Sequence, residues 1–330
     1  MVTIGYMSDL MTDPPGRSME HAVHAEQLGF QMVGAADHFY PWIHTDQNCA
    51  FAWVWLTAVA TRTKTATVGT MVTAPILRYN PAIIAQAFAT MEQMFPSRVF
   101  LGLGAGEAIN EVPAGCEWPS AGERVKRLEE ALIIIRSLWT EELTSFEGEF
   151  FGLKKTRLYP RPTRHIPLLL AAGKPRTIEL AGRYADGLVT VPQLSGSDTV
   201  QSFEAAARRA GRDPSKLQRH LNFGISFDSD YDKAMAACKP WAATILPFIF
   251  EYGISDPREV ERYSHLIDER ELAKTWLITS DPEECLRAVE RYAKLGFSHL
   301  HVQSLSPDEE GFIKMMGEKV IPHFTASTVP

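Results

Sequence analysis

Ile166-Pro167-Leu168-Leu169-Leu170-Ala171 is followed at once by Ala172-Gly173-Lys174-Pro175, then by a helical period over 176–184, then by a second apolar run, Gly187-Leu188-Val189-Thr190-Val191. A run that is apolar at every position, rather than at alternate ones, is the pattern of a parallel strand buried on both faces. Outward from this unit the same grammar repeats. Strands are expected at 3–7, 31–36, 67–72, 99–103, 166–171, 187–191, 221–227 and 298–303. Helical periods lie at 19–28, 51–62, 81–94, 122–139, 176–184, 199–210 and 282–295, and a helix around 309–320 closes the chain. Eight strands, each followed by a helix, predict an α/β fold of the (β/α)8 TIM-barrel type.

Such a barrel needs roughly 250 residues, which leaves about 80 for loop insertions in a chain of 330. One is expected near 140–165, where Phe146-Glu147-Gly148-Glu149-Phe150-Phe151 reads as a small hairpin. The other is 241–276, which fits no simple strand–helix unit. With no linker, low-complexity stretch or charge block, 1–330 reads as a single domain. Two places share one loop pattern, Leu28-Gly29-Phe30 and Leu295-Gly296-Phe297, in which the glycine suits the left-handed residue that ends a helix.

Composition narrows the function. Hydrophobic residues are 45% and charged residues 22%, which is ordinary for a globular chain. A net charge of −7 lacks the basic footprint of a nucleic-acid binder. The four cysteines, Cys49, Cys116, Cys238 and Cys285, form no CxxC pair, so neither a zinc cage nor a disulfide scaffold is expected. The apolar runs, such as 131–135, fall far short of the ~20 residues of a membrane helix. A soluble, cytoplasmic protein is the expectation.

In a TIM barrel the chemistry lies where strands end and loops begin. After the second strand comes Ala36-Asp37-His38-Phe39-Tyr40-Pro41-Trp42-Ile43-His44. His38 could act as general acid or base near neutral pH, with Asp37 fixing its tautomer or meeting a cofactor, or the two could be a capping pair on a loop. After the fourth strand comes Gly102-Leu103-Gly104-Ala105-Gly106-Glu107-Ala108-Ile109-Asn110-Glu111. The glycines allow a ligand close to the backbone, but no acidic residue follows at the spacing of a dinucleotide fingerprint. Glu107 reads equally as a second acid–base group or as a carboxylate favoured by a helix N-terminus. After the fifth strand, Lys174 and Arg176 at a helix start suit an anion, phosphate above all, or are a simple capped start. His21 and His24, three apart on the first helix, read as solvated outer surface with no third ligand for a metal; His299 and His301 share one side of the last strand, lining the barrel or facing the helices, and no carboxylate partner argues for a metal there.

Taken together, Asp37-His38-Phe39 with Pro41-Trp42, Leu77-Arg78-Tyr79-Asn80-Pro81 with 85–90, and Gly104-Ala105-Gly106-Glu107-Ala108 with Asn110-Glu111 resemble the F420-dependent branch of the luciferase-like barrel superfamily, which includes secondary alcohol and glucose-6-phosphate dehydrogenases. The resemblance runs over almost the whole chain. It implies a barrel with insertions that binds the deazaflavin coenzyme F420, acts on a small molecule and works as a homodimer. It implies that His38 takes the hydroxyl proton of an alcohol, that Trp42 hydrogen-bonds the substrate oxygen, and that Glu107 is the acid–base group serving the deazaflavin. Asp37 and Asn110 would contact the coenzyme ring, a non-prolyl cis peptide at Met71-Val72 would back it, and Ala172, Gly173 and Lys174 would form its phosphate loop.

The sugar-phosphate branch holds its substrate's phosphate with two lysines and an arginine; here Leu194, Glu251 and Thr275 stand at those positions. A dianion beside Glu251 would be repelled. The secondary-alcohol branch shares Glu111-Val112-Pro113, Glu117-Trp118-Pro119-Ser120 and Asp230-Tyr231-Asp232-Lys233-Ala234. A secondary alcohol and its ketone are therefore the expected substrate pair. The alternatives are a sugar-6-phosphate dehydrogenase, an FMN-dependent monooxygenase of the same superfamily, and a coenzyme-binding protein without turnover.

Overall fold

The computed structural model describes residues 2–45, 47–196 and 198–325. In chain order its strands are β1 (Thr3–Ser8), β2 (Met32–Ala35), β3 (Thr67–Thr73), β4 (Val99–Leu103), β5 (Thr144–Glu147), β6 (Gly152–Thr156), β7 (Leu168–Ala171), β8 (Gly187–Thr190), β9 (Gln218–Phe227), β10 (Leu277–Thr279) and β11 (His299–Ser304). The parallel order β9-β11-β1-β2-β3-β4-β7-β8 closes on itself through a β8–β9 pairing, which makes an eight-stranded barrel. All eight expected strands form its staves. The first helix begins earlier than its period shows, at Pro15, because Pro is well placed in a first turn. Gly29 and Gly296 take positive φ (97° and 94°), and Phe30 and Phe297 behind them are buried, as the shared loop pattern implies.

Strand alternation sorts the interior from the outer layer. Met7, Met32, Ala36, Met71, Phe100, Leu169 and Val189 fill the inside of the barrel. The outward positions meet the helices in a much larger core that includes Ile4, Val33, Leu101, Leu170 and Leu300. His301 and His220 point inward: a Cβ on Gly5 would fall 2.8 Å from His301 Nδ1. Their rings are joined, His220 Nδ1 to His301 Nε2 at 2.9 Å, and His299 stacks on His220. Burial pushes His299 down to about 4 and His301 to about 3, so these rings are neutral at physiological pH.

His21 departs from the surface reading. It is buried, with Asp13 3.3 Å from Nδ1 and Glu310 4.0 Å from Nε2. The chain before the first helix and the helix Glu309–Met315 cover it, neither of which is visible in the helix's own period. Among the described residues no group of three or more His, Cys, Asp or Glu side chains is arranged to hold a metal ion, and no helix is long and apolar enough to cross a membrane.

Both insertions are where the surplus length puts them. β5 and β6 form the hairpin, held on the helix Ala121–Thr140 by Glu130, whose carboxylate accepts from Glu149, Phe150 and Phe151 N–H at 2.7–3.1 Å. The second insertion, unreadable as a strand–helix unit, is a cap of short helices: Lys239–Ile245, Pro247–Glu251, Pro257–Ser264 and Glu269–Thr275. It carries its own small core, in which Trp241, Ile249, Val260 and Leu272 pack with Trp42 and Ile43 from the loop after β2. The cap's exit strand, β10, pairs in parallel with the end of β9, Leu277 opposite Ile225.

Candidate active site

The loops after β2, β3 and β4 converge at the C-terminal mouth of the barrel. β3 is irregular there: its register with β4 shifts between Thr70 and Thr73, and the Met71–Val72 peptide inside that shift is cis. Glycine is required where β3 and β4 close up, since a Cβ on Gly102 would fall 2.2 Å from the Thr70 carbonyl oxygen. At the rim, a Cβ on Gly104 would lie 2.6 Å from Val72 Cγ2 and 3.6 Å from Ala171 Cβ. Ala36, Gly104 and Ala171 thus leave a shallow floor of small residues, which suits a flat ring laid across the mouth.

Three acidic groups and one arginine organise the polar side. Arg78 is buried between two carboxylates, 3.3 Å from Asp37 and 3.3 Å from Glu111, with both acid side chains 0% exposed. Its Nη2 also donates to the Asp37 carbonyl at 2.6 Å. Thr73 Oγ1 and Tyr79 OH donate to the Asp37 carboxylate, and Trp53 N–H donates to Thr73 Oγ1. Burial raises the Asp37 and Glu111 carboxyls, against the pull of Arg78. Burial also works against the Arg78 charge, but the two acids outweigh it and keep its affinity for the proton raised. Sequence reasoning quoted Arg78 without assigning it this place. Asp37, expected at the coenzyme ring, has its carboxylate held in this network, where it anchors the loop that carries His38.

His38 and Glu107 meet above it. His38 Nδ1 lies 3.0 Å from the Tyr40 carbonyl oxygen, so the proton sits on Nδ1 and the Nε2 lone pair is left free. Nε2 is 3.4 Å from Glu107 Oε2, and the two side chains are 10% and 34% exposed toward the mouth. Burial pushes His38 down to about 4 and Glu107 up to about 7. At neutral pH the histidine is a neutral acceptor and the carboxyl still holds a share of its proton. Environments that drive two neighbouring groups apart in this way are suited to acid–base work.

Asn110, expected to contact the coenzyme, braces this pair. Its Oδ1 accepts from Phe39 N–H at 2.8 Å, and its Nδ2 donates to Glu107 Oε2 at 3.2 Å. Trp42 leans on His38, ring centroids 5.5 Å apart, and on Phe250 of the cap at 5.2 Å. Its indole N–H makes no hydrogen bond among the described residues and so is available to a guest. A cavity of about 570 Å³ adjoins this loop, between Tyr40, Pro41 and His44, Val112 and Pro113, and cap residues 255–258.

The third group of expected residues lies across the mouth. Ala172 and Gly173 lead into the helix Pro175–Tyr184, where Pro175 at the start has no N–H to satisfy. Lys174 is exposed there, and Arg176 is exposed two residues on. Lys174 Nζ lies 3.9 Å from Glu251 of the cap. Leu194 presses on Gly173 so closely that a Cβ there would fall 2.5 Å from Leu194 Cβ.

Residues 2–299 match the profile of the luciferase-like monooxygenase family. The F420-dependent glucose-6-phosphate dehydrogenase of Intrasporangium calvum is 36% identical over 329 residues, covering 98% of each chain. That of Nakamurella multipartita is likewise 36% identical, over 98% of this chain and 97% of its own. Among solved structures, an F420-dependent secondary alcohol dehydrogenase in complex with an F420–acetone adduct superposes with a TM-score of 0.92 at 38% identity, over 97% of this chain and 98% of that one.

Proposed function

The chain belongs to the luciferase-like monooxygenase family, as an F420-dependent oxidoreductase, and from that premise we propose that its substrates are a secondary alcohol and the corresponding ketone. The single observation that carries this choice is the Lys174–Glu251 pair. Where the sugar-phosphate branch places a cation for the substrate phosphate, this chain places a carboxylate, Glu251, 3.9 Å from Lys174. Leu194 and Thr275 add no positive charge, and Thr275 Oγ1 donates to the Glu271 carbonyl. A phosphate dianion brought to Glu251 would face a like charge. An uncharged alcohol meets none.

Coenzyme F420, when bound, supplies a deazaflavin carbon, C5, that accepts a hydride. The floor of Ala36, Gly104, Ala171 and the Met71–Val72 peptide fits such a ring, and the loop of Ala172, Gly173 and Lys174 with Arg176 fits an anionic tail. The rest is done by the chain's own groups. The Trp42 N–H orients the substrate oxygen. His38 Nε2 takes the hydroxyl proton as the hydride leaves the carbinol carbon, and the carbon–oxygen bond becomes a carbonyl. Glu107 holds a proton on the ring side of the site below pH about 7, and Asn110 keeps it aimed there. Asp37 and Asn110 serve by holding these groups in place.

The homodimer belongs to the same reading. The helices Ala52–Arg62 and Pro81–Met94 leave Val54 67% and Ile83 54% exposed, an apolar outer face that a second copy would cover.

The test is loss of oxidised F420 absorbance with 2-propanol or glucose 6-phosphate in parallel. Reduction with 2-propanol alone is expected. Reduction with glucose 6-phosphate alone, as the names of the two bacterial relatives would have it, sinks the alcohol reading and shows that the phosphate is held elsewhere. Oxygen consumption with FMN in place of F420 would favour the monooxygenase alternative.

A further inference from the structure

We infer that Trp276 is a specificity-determining residue, the wall that limits the carbon chain of the substrate opposite Trp42. The inference rests on the alcohol reading above. Its starting point is Gly224. On β9, His220, Asn222 and Gly224 share the inward face, and His220 meets His301 inside the barrel. Gly224 pairs with Gln303 on β11, which pairs with Met7 one residue before β1 ends, so it stands at the mouth.

The backbone of Gly224 does not take the positive φ that calls for glycine. Space is the reason for glycine here. A Cβ at 224 would fall 2.9 Å from Trp276 Cδ1, 3.3 Å from Trp276 Nε1 and 3.1 Å from Leu305 Cδ1. The indole of a cap residue therefore occupies the place a barrel side chain would hold. It is fixed there from two sides. Trp276 N–H donates to the Leu272 carbonyl at 2.9 Å, and the next residue, Leu277, opens β10 in register with Ile225.

The same indole packs against the small core that holds Trp42, Ile278 and Leu305. Its ring N–H has no hydrogen-bond partner among the described residues. Trp276 thus brings to the mouth a flat apolar face and one uncharged donor. That combination fits a hydroxyl or carbonyl flanked by short hydrocarbon arms. One methylene more or less against such a wall is worth a factor of about 10 to 200 in kcat/KM.

The experiment uses F420-loaded full-length enzyme and its kcat and KM for 2-propanol, 2-butanol, 2-hexanol and glucose 6-phosphate. Wild type is compared with Trp276→Ala, Trp276→Phe and Gly224→Ala, with F420 binding and the thermal midpoint as controls for folding. Trp276→Ala is expected to raise the 2-hexanol to 2-propanol ratio of kcat/KM by roughly tenfold or more, mainly through KM. Trp276→Phe should return it most of the way. Gly224→Ala, which pushes the indole further into the mouth, should move the ratio the opposite way. An unchanged ratio in folded Trp276→Ala, or in Gly224→Ala where the first variant fails to fold, overturns the proposal and leaves the alcohol reading standing. Wild type that turns over glucose 6-phosphate alone, or neither substrate while binding F420, overturns the alcohol reading and this proposal with it.

Discussion

Every residue of β4, Val99–Leu103, is buried, whereas in the cap helix Pro257–Ser264 only Pro257, Val260 and Ser264 are. A barrel stave is hemmed in by helices outside and by other staves inside. A cap helix touches the protein along one stripe. His38, Glu107 and the buried arginine stand on loops that spring directly from staves. Glu251, Phe250 and Trp276 belong to the cap. On the proposed function the contrast implies a division of labour: the barrel would determine what chemistry happens, and the cap which molecule it happens to. If that is right, damage in the barrel should hit all substrates alike, and damage in the cap should change the choice among them.

The largest effect is expected at His38 itself. His38→Ala should lower kcat for every alcohol by about 100- to 10,000-fold, the usual worth of a general base, with F420 affinity within a few-fold of wild type by fluorescence quenching. A loss confined to one alcohol would break the division. Next is Arg78→Ala, which strands Asp37 and Glu111 as buried unpaired acids; removing one partner from such a site costs about 3–5 kcal/mol, read as a fall in thermal midpoint. Acid should partly relieve it, because both carboxyls can then be neutralised by protons.

The pH profile sharpens the assignment of roles. His38, depressed to about 4, must be neutral to accept a proton, and Glu107, raised to about 7, must be protonated to give one. Alcohol oxidation should rise as pH climbs through about 4 and fall as it passes about 7. Glu107→Gln should remove the upper limb. If that limb persists in the variant, another group titrates there. The smallest effect is expected in the cap. Phe250→Leu forfeits an edge-on ring contact with Trp42 worth about 0.5–1.5 kcal/mol, so it should alter KM severalfold and kcat little, with no change in F420 binding.

The same contrast explains what could be read in advance. The eight staves were legible from the alternation of short strands with helical periods, and some of them, such as Leu168-Leu169-Leu170, from an unbroken apolar run. His38, Trp42 and Glu107 could be singled out because they follow strand ends, and the structure brings His38 beside both of the others; their roles are what the predictions above test. The cap was not legible, because its helices are too short for a period to emerge. Its signal was of another kind: Asp256 and Asp268 each accept a backbone N–H two residues on, marking helix starts that a search for capping residues would have found. Arg78 and the burial of His21 depend on partners distant in sequence, Asp37 and Glu111 for one, Asp13 and Glu310 for the other, and no local pattern carries that. Trp276 over Gly224 is the same case, a gap on one element filled from another.

The parallel pairing of β10 with the end of β9 also bears on how such an enzyme can change over time. The cap leaves the barrel after β9 and returns beside it, so both of its ends are tied to a single stave. Closure of the barrel, through β8 with β9 and β9 with β11, uses Gln218 to Ile225 of that stave, so the two seams share only Ile225. A replacement for residues 239–276 therefore needs to meet the seam of β10 with β9, the space over Gly224 and the loop that carries Trp42 and Ile43, and leaves the pairing of the staves untouched. The segment is in effect a cassette, and a lineage or an engineer can exchange it to recruit a new substrate while inheriting the hydride chemistry intact.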